Sequence, residues 1–594
     1  MIKIPNPDSK KIVQSNRSNI LGDIWSSFNL DLSSNIGVFK VSPRFMTIAT
    51  SENNTPPNDT DLMVPFAFVK HPQTGNWYCG TGGGGFVFKG TTVPNGTFAQ
   101  DTATGSPSFG ANRPDMAVFN SRIYAANTTL SKLDADETDW DDVAGVTTCN
   151  GSLVPFLNRL YFVIDTANFD DIVSINTSDT VATLGQAYTV SISGFDCYSI
   201  TCMKATSTHI WIAAHDPNEG VKYSRMYRWD GIATTISAND QFLVPAAAIL
   251  SIVIKENVPW IIDSEGILRS FNGGSFEEID RLPVKNGKYL KSPIGGGTVR
   301  AVHPNGMIVD GDDILMLVAG QYKDTNGTQE ENIQSGIWKY NSKNGLHHYA
   351  SLSYWKDQVT TTATDFGQIR LSEVGALAIC RNTDTTSTTN GIYLAGGEFY
   401  NTAGTIKRAI WINDSKNTTQ KYGFFITSWI SSKNIKDTWQ KLVTKYRELL
   451  NSSDRIVLKY RTREDVMTES TITWTSSDSI SSTADLSAYS VGDQVEVIQG
   501  IGSGKCSHIT SITLTGGTYF INLDETYTGA TGTSKARFQK WIKIGTVSDQ
   551  TTESKISVIG KSSERVQIKC TMLFTGDDEV HEVVIVNNEH EKYE

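Results

Sequence analysis

The chain has 594 residues, of which 39% are hydrophobic and 10% aromatic, enough for one large module and one or two smaller ones. Its 49 glycines, together with abundant Ser, Thr and Asn, favour short strands joined by turns over long helices. The 63 acidic residues outnumber the 52 basic ones, the formal net charge is −11, and Lys and Arg do not cluster. This balance argues against a protein that grips nucleic-acid phosphates.

Residues 1–29 are interpreted as an N-terminal arm. The arm has no apolar stretch typical of a signal peptide, and no part of the chain has a run long and apolar enough to span a membrane. We therefore expect a soluble protein without a membrane span. The runs 37–41 and 45–49 then predict two strands, which either close the last repeat of a ring or form the first repeat's own hairpin.

The stretch GTGGGGFVFKG, residues 80–90, has the G-x-G-x-x-G spacing of a dinucleotide-binding loop at Gly80, Gly82 and Gly85. Such a loop needs a helix after it, because the helix N-terminus supplies the amide groups that hold the pyrophosphate. Here the aromatic and β-branched residues 86–88 follow and predict a strand. The stretch therefore predicts a glycine-rich turn between two strands, and no cofactor.

A strand–turn–strand pattern recurs along the first two thirds of the chain. Each unit is interpreted as an inner strand followed by a strand nearer the rim of a β-propeller blade, and further strand-like runs lie between the units. The pattern predicts an irregular propeller over residues 30–425 with seven or eight blades, since the last interval leaves room for another blade or an inserted loop. The seven units span residues 77–90, 122–134, 159–176, 209–231, 258–273, 313–345 and 391–414.

The segment NIKDTWQKLVTKYRELLNSS predicts an amphipathic helix over residues 434–451, because its apolar residues recur at spacings of three and four. An isolated helix of this length is marginal in water, so its apolar stripe needs a partner surface on the sandwich, the propeller or a neighbouring subunit. Residues 426–476 are assigned to this linking helix and the start of a β-sandwich. The candidate assembly and packing residues are Trp439, Leu442, Tyr446 and Leu449.

The C-terminal part alternates apolar and polar residues with a period of two in most of its strand-like runs, which is typical of a β-sandwich with one face of each sheet buried. An insert over residues 477–540 contains strand-like runs separated by a glycine-rich hairpin and a Gly-Gly turn. It predicts a small barrel of the SH3 or OB type. Residues 541–594 are assigned to the rest of the sandwich.

No catalytic, metal or cofactor site is predicted. His347 and His348 are adjacent, and neighbours on a strand point in opposite directions, which disfavours a shared metal ion. The seven cysteines are an odd number, and Cys197 and Cys202 lack a second ligand pair at zinc spacing. We expect reduced cysteines without a disulfide framework.

Acidic residues in the predicted turns are the best case for an enzyme, since propellers often host the paired carboxylates of a glycosidase. A more common role for such residues is Asx-type hydrogen bonding within the turn. The repeated S-x-D-x-G-x-T-W turn of sialidase propellers does not occur. A propeller glycosidase is therefore an alternative, and we expect no enzyme. The residues concerned are Asp165, Asp170, Asp171, Asp263 and Glu265.

The chain resembles structural proteins of tailed-bacteriophage tails, and its plan is similar to that of the propeller-bearing nozzle or hub proteins at the end of short tails. The resemblance covers the opening NILGDIWSSFNLDLSSNIGVFKVSPRF, the irregular propeller units, and a sandwich with KYRTRED near its start, WIKIG in its middle and ERVQIKCTMLF and HEVVIVNN at its end. The chain is shorter than the longest nozzle proteins, so an elaborate gate in the lumen is not implied.

The resemblance implies a non-enzymatic virion protein, made in the cytoplasm of the host bacterium. It would form a ring of identical subunits, commonly six, that assembles with other tail proteins and contacts tail fibres, and DNA would pass transiently without specific binding. An acidic surface suits such a conduit. A receptor-binding or glycan-adhesion protein, using exposed aromatic residues of the propeller and barrel, is the other alternative.

Overall fold

The structure is a computed structural model of the chain, and it describes part of the sequence. The described residues are 2–4, 24–28, 30–31, 39–42, 44–47, 64–82, 85–91, 98–109, 115–126, 129–146, 149, 151–165, 170–177, 188–189, 199–215, 223–233, 236–283, 301–323, 329–331, 335–352, 371–381, 392–400, 406–414, 421–427, 430–431, 438–446, 454–462, 467–500, 506–524, 532–547, 554–562, 565–574 and 579–587.

Short N-terminal strands precede the repeats. The first, second and fourth pair with strands from the C-terminal part of the chain, the third pairs with the fourth, and the fifth pairs with the last repeat. They are β1 (Ile2–Ile4), β2 (Ile24–Phe28), β3 (Leu30–Asp31), β4 (Phe39–Val41) and β5 (Arg44–Thr47).

Seven four-stranded antiparallel sheets follow, which are the blades of a β-propeller. The first four blades are β6 (Pro65–Lys70), β7 (Trp77–Thr81), β8 (Val87–Gly90) and β9 (Phe98–Gln100); β10 (Asp115–Phe119), β11 (Arg122–Ala126), β12 (Leu130–Leu133) and β13 (Trp140–Asp142); β14 (Val154–Phe156), β15 (Arg159–Asp165), β16 (Asp170–Asn176) and β17 (Tyr188–Thr189); and β18 (Ser199–Ala205), β19 (Ile210–His215), β20 (Ser224–Trp229) and β21 (Gln241–Val244), the last preceded by a 3-10 helix (Ala238–Asp240).

The remaining three blades contain one departure from the regular pattern, a projecting hairpin in blade 6, and the last blade takes its fourth strand from β5. These strands are β22 (Ile249–Lys255), β23 (Val258–Asp263), β24 (Ile267–Phe271) and β25 (Phe276–Arg281) in blade 5; β26 (Met307–Asp310), β27 (Asp313–Val318), the hairpin β28 (Gln321–Lys323) and β29 (Gln329–Glu331), β30 (Gly336–Asn341) and β31 (Gly345–Ala350) in blade 6; and β32 (Leu371–Ile379), β33 (Tyr393–Tyr400) and β34 (Ile406–Asp414) in blade 7.

The ring is closed through its innermost strands, because the first strand of each blade contacts the first strand of the next and β32 of blade 7 contacts β6 of blade 1. The predicted repeat units correspond to the second and third strands of the blades. The innermost strands come from the runs between units. Each unit's first strand lies inside its second, as predicted, and the repeat pattern marks the two middle strands of each blade. The reason is that both middle strands of a blade are buried on two faces, which makes them the most apolar and the easiest to recognise.

Of the two N-terminal runs, the run 45–49 contains β5, which closes the last blade and is called the closing strand. The run 37–41 contains β4 of the sandwich, so neither predicted role is right for it. In β5, Met46 pairs with Ile412 and Thr47 with Trp411, both in β34, so β5 is the outer strand of blade 7. The stretch 80–90 forms β7 and β8 of blade 1, with Gly80 opposite Val87. This confirms the predicted inter-strand turn and contradicts a dinucleotide-binding loop, because a strand follows where that loop needs a helix.

Two six-stranded sheets form the sandwich, and each combines N-terminal with C-terminal strands. One has the order β3-β4-β48-β37-β46 with β1 beside β48, and the other has the order β2-β35-β47-β38-β45 with β36 beside β47. The strands not yet given are β35 (Lys421–Thr427), β36 (Ile430–Ser431), β37 (Thr438–Tyr446), β38 (Arg455–Thr462), β45 (Ile542–Val547), β46 (Ser554–Ser562), β47 (Arg565–Phe574) and β48 (Glu579–Asn587).

A closed six-stranded barrel lies between β38 and β45, in the order β39-β40-β43-β42-β41-β44. Its first strand begins ten residues before the predicted insert of 477–540, because β39 closes the barrel against β44 instead of belonging to the sandwich. The barrel strands are β39 (Met467–Ser476), β40 (Ser479–Ser482), β41 (Gln494–Gly500), β42 (Cys506–Thr515), β43 (Thr518–Leu523) and β44 (Gly532–Gln539).

The predicted linking helix over residues 434–451 is wrong. Its centre is β37, an inner strand of the sandwich, in which Leu442 pairs with Ser557 on one side and Ile585 on the other. The segment is rich in β-branched and aromatic residues, which suit a strand. Hydrogen bonding to two strands more than a hundred residues away overrides the helical spacing of its apolar residues.

The propeller is thus inserted into the sandwich, since the chain leaves the sandwich after β4 and returns to it at β35. Leu30 and Val41 of the N-terminal strands share one buried core with Phe425, Ile456 and C-terminal strand residues. The sandwich therefore includes residues assigned from sequence to the N-terminal arm and to the start of the propeller. No helix in the described part of the chain has the length and apolar composition to cross a membrane.

Candidate functional site

The centre of the propeller is occupied by a segment of the chain itself, residues 301–306, which we call the plug. The plug precedes β26 of blade 6, and the side chain of its His303 is buried and stacks on Phe66 of blade 1, with ring centroids 4.6 Å apart. The Ser251 hydroxyl of blade 5 donates to Pro304 O at 2.7 Å. The plug therefore contacts inner strands on different sides of the ring.

Asn305 makes the contacts that cross the channel. Its amide nitrogen donates to Asp115 Oδ1 of blade 2 at 2.8 Å and to Phe66 O of blade 1 at 3.1 Å, and its amide oxygen accepts from Lys204 Nζ of blade 4 at 3.0 Å. Its backbone oxygen accepts from Leu377 N of blade 7 at 2.9 Å. Blade 4 lies opposite blades 7 and 1 in a ring of seven, so this one residue bridges the channel.

We expect Asn305→Asp to destabilise the propeller by about 1–3 kcal/mol at neutral pH. The substitution has the same shape, but it replaces two hydrogen-bond donors with a carboxylate oxygen that faces Asp115 and the carbonyl of Phe66. Urea unfolding measured at pH 7 tests this, and Asn239→Asp, at an exposed residue, is the control. Equal stability of the two variants would mean that the bridge contributes nothing.

The sequence prediction missed Asn305. The residues HPNG predict a turn before a strand-like run. They do not indicate that this turn enters the centre of the propeller. The partners of the Asn305 side chain lie 101 to 239 residues away along the chain.

The predicted assembly and packing residues are not on a helix. Trp439, Leu442 and Tyr446 lie in β37, where their backbones pair with Asn587, Ile585 and Val580 of β48. Leu449 lies outside the described residues. The structure therefore places three of the four in the interior of a sandwich sheet, and the predicted apolar helical stripe does not exist because the segment is extended.

A buried group of charges joins the propeller to the sandwich. Lys339 of blade 6 has its Nζ atom 2.8 Å from Asp313 Oδ2 and 3.5 Å from Asp31 Oδ1, and Asp31 belongs to β3 of the sandwich. The Lys339 Nζ atom also lies 4.8 Å from the centroid of the Tyr349 ring. Removing one partner of such a group leaves an uncompensated buried charge. The joint therefore depends on having Lys339, Asp313 and Asp31 together.

His347 and His348 are both fully buried in β31 beside this joint. The His347 Nδ1–H group donates to Gly345 O at 3.3 Å, and the His348 Nε2–H group donates to Ser335 O at 2.9 Å. Burial lowers the pKa of each imidazole to about 4, and the charge of Lys339 adds to the effect on His347. Both side chains are therefore neutral core residues at pH 7.

We expect these histidines to make the protein less stable as the pH falls from about 6.5 towards about 4. The unfolded chain takes up protons in that window and the folded chain does not, so stability is lost by up to about 1.4 kcal/mol per pH unit for each histidine. Urea unfolding at several pH values tests this. His348→Gln, which retains a donor towards Ser335, should reduce the slope, whereas His209→Gln should leave it unchanged.

Of the acidic residues considered for catalysis, Asp263 has a side chain that serves the fold. Asp263 is fully buried, its Oδ2 atom lies 2.8 Å from Arg269 Nε, and its Oδ1 atom accepts from Glu265 N and Ile267 N at 2.9 and 3.0 Å. This is the predicted Asx-type turn bonding, with burial and an ion pair added. Asp165, Asp170 and Asp171 lie at the ends of paired strands β15 and β16, and their side chains lie outside the described part of the structure.

Within the described residues, no three His, Cys, Asp or Glu side chains are grouped as a metal ion would require. The cysteines that the structure describes as free, Cys79, Cys149, Cys202, Cys380 and Cys570, are all buried. Burial raises the pKa of the Cys149 thiol to about 12, so it is protonated and unreactive at neutral pH.

A row of uncharged side chains crosses the outward face of the barrel. Thr533, Thr473, Ser481, Phe520 and Thr513 follow one another across five neighbouring strands. The Phe520 side chain is 42% exposed in the middle of this row. A row of hydroxyl groups around one open aromatic ring can form hydrogen bonds and a stacking contact with a flat polar ligand.

No family model matches the chain, and no curated protein matches it in sequence. Solved structures with a similar fold include the Dos1 propeller, with 8% identity and a TM-score of 0.31 over 65% of this chain and 92% of that one. BamB from Moraxella catarrhalis has 10% identity and a TM-score of 0.29 over 63% and 97%. The computationally designed Ika8 protein has 13% identity and a TM-score of 0.33 over 65% and 96%. Likenesses this distant carry no information about activity.

Proposed function

We propose that this chain is a non-enzymatic structural protein of a bacteriophage tail, a nozzle or hub subunit made in the host bacterial cytoplasm and incorporated into the virion. In this proposal it forms a ring of identical subunits, with six as the expected number. The ring assembles with other tail proteins, contacts tail fibres, and helps to form the conduit through which DNA leaves the virion.

The observation that carries the proposal is the insertion of the propeller into the sandwich. The N-terminal segment supplies β3 and β4 to a sandwich sheet and then β5 to the last blade, and the chain re-enters the sandwich at β35. Both ends of the propeller are thereby held by one hydrogen-bonded body. A subunit whose propeller is held at both ends in this way suits a ring that must resist mechanical force.

The plug refines the proposal. Asn305 bridges inner strands of blades 1, 2 and 4, so the centre of the propeller is filled by protein. DNA would therefore pass along the axis of the ring of subunits, outside each individual propeller. The net charge of −11 suits a wall that DNA slides past, since an acidic surface gives no electrostatic grip on phosphates.

Mass photometry and negative-stain electron microscopy of the purified full-length protein test this proposal. We expect closed rings of one stoichiometry that persist on dilution, and antibodies against the chain should label one end of the tail on intact virions. A protein that stays monomeric at all concentrations, with virions that remain unlabelled, would contradict the proposal.

A second candidate is adhesion to a neutral glycan of the host surface, favoured by the row of hydroxyl side chains around Phe520 on the barrel. The experiment is binding of the full-length protein to immobilised neutral and charged polysaccharides. Phe520→Ala should abolish binding to neutral chains, whereas Leu157→Ala, at an exposed residue of the propeller, should retain it. Binding that survives Phe520→Ala would exclude this face.

A further inference from the structure

The contact between the barrel and the sandwich is made by polar side chains from both modules. Lys459 of β38 in the sandwich contacts His508 of β42 in the barrel, Nζ to Nε2. The other ring nitrogen of His508, Nδ1, lies 2.9 Å from Asp524 Oδ2, and the His508 backbone N–H donates to Asp524 Oδ1 at 2.6 Å. The three side chains form a continuous chain from the sandwich into the barrel.

This arrangement requires a neutral His508. The ammonium group of Lys459 can only donate, so Nε2 of His508 must be the acceptor, and Nδ1 then carries the ring proton and donates it to Asp524. Burial acts to raise the pKa of Asp524, but the hydrogen bonds from His508 outweigh it and hold that pKa below its usual value. Asp524 therefore remains a carboxylate under mildly acidic conditions.

The sandwich side of the contact is already rich in positive charge. The backbone of Lys459 pairs with that of Lys543 in β45 and with that of Lys569 in β47, and the Lys459 and Lys569 side chains are both buried. The Lys569 Nζ atom faces the barrel, 3.5 Å from Gln494 Oε1. Like charges directly opposite one another on a sheet are destabilising, and a neutral acceptor from the barrel relieves the pair formed by Lys459 and Lys569.

Two other charged side chains near the contact, Arg461 and Asp493, have hydrogen-bond partners of their own. The Arg461 guanidinium lies over the Trp541 ring at 4.8 Å and donates to Gln567 Oε1 at 2.7 Å. On the barrel, Asp493 accepts from Ser490 N at 2.9 Å. Asp524 is thus the carboxylate bonded to His508.

We propose that Lys459, His508 and Asp524 form an acid-sensitive latch that docks the barrel on the sandwich at neutral pH and releases it when His508 takes up a proton. A protonated Nε2 can no longer accept from Lys459, and two positive charges then face each other at hydrogen-bond distance, with Lys569 on the neighbouring strand. His508 is 36% exposed in its side chain, so protons reach it without unfolding of either module. A histidine titrates in the mildly acidic range that such a switch needs.

Hydrogen–deuterium exchange of the full-length protein at pH 7.5 and pH 5.5, corrected for the intrinsic pH dependence of exchange, tests the latch. We expect exchange in β38, β42 and β47 to be severalfold faster at pH 5.5 than at pH 7.5. Exchange in the inner strands of the propeller should change little. X-ray scattering should show a larger radius of gyration at pH 5.5. Faster exchange throughout the chain would indicate general acid unfolding and would contradict a local latch.

His508→Gln is the decisive variant, because glutamine can accept from Lys459 and donate to Asp524 but cannot become charged. It should stay docked at both pH values, whereas the control His209→Gln should respond as the unmodified protein does. An acid response that persists in His508→Gln overturns the proposal. Lys459→Met provides an independent check if His508→Gln folds poorly: removing the ammonium group should weaken docking at pH 7.5 and abolish the difference between the two pH values.

Discussion

Replacing Gly375 with alanine should open the seam between blade 7 and blade 1, although it adds one methyl group. A Cβ atom at this position would lie 1.7 Å from Pro65 O and 2.7 Å from Pro65 C. These are backbone atoms of the innermost strand of blade 1, so no side chain can turn away to make room. We expect a loss of more than about 3 kcal/mol in the free energy of unfolding, at or beyond the upper end for overpacking.

Urea unfolding and size-exclusion chromatography of the Gly375→Ala protein measure this effect. The matched control is Gly274→Ala, where a Cβ atom would meet only Asn272 Oδ1 at 4.0 Å and where no backbone approaches. The two variants should differ clearly in stability. If both are as stable as the unmodified protein, the seam is looser than the contact between Gly375 and Pro65 indicates.

Replacing Phe45 with alanine should detach the closing strand from the last blade. Phe45 is fully buried in β5 and packs in one core with Leu315, Tyr349 and Trp411 of blades 6 and 7. Loss of a fully buried phenylalanine costs about 3–5 kcal/mol, and a four-residue strand has few other contacts to compensate. Limited proteolysis should then cut near β5 at a protease concentration that leaves the unmodified protein intact.

Leu157→Ala is the control for this second variant, since Leu157 is 55% exposed in a turn of blade 3 and its truncation should change stability little. Unaltered protease resistance of the Phe45→Ala protein would show that β5 does not hold the ring closed. The two predictions are independent, because Gly375 tests the inner strands of the seam and Phe45 tests the outer strand of the same blade.

The closing strand also connects the two large modules. The chain between β4 and β5 is short, and the Ser42 hydroxyl within it donates to Tyr349 O of blade 6. Asp31 of the sandwich reaches Lys339 of the same blade. Closure of the propeller and docking of the sandwich on blade 6 therefore depend on one N-terminal segment, and a change in one is expected to affect the other.

The sequence by itself determined the features that depend on neighbouring residues. The strand pairs of the blades, such as 77–90 and 391–414, have apolar runs that both faces of a blade bury and turns that glycine or other flexible residues permit. The Gly516-Gly517 turn of the barrel has positive φ at both residues, +59° and +80°, which is a local requirement that the two letters reveal. The all-β class and the propeller followed from these local signals.

Only the tertiary structure decided which distant segments meet. The segment around Leu442 has helical spacing, yet it is a strand, because β46 and β48 satisfy its backbone hydrogen bonds on both sides. The partner of β5 and the position of Asn305 in the channel were likewise unpredictable from their own residues. In each case the deciding hydrogen bonds join segments a hundred or more residues apart, and the pattern of neighbouring residues does not predict such pairs.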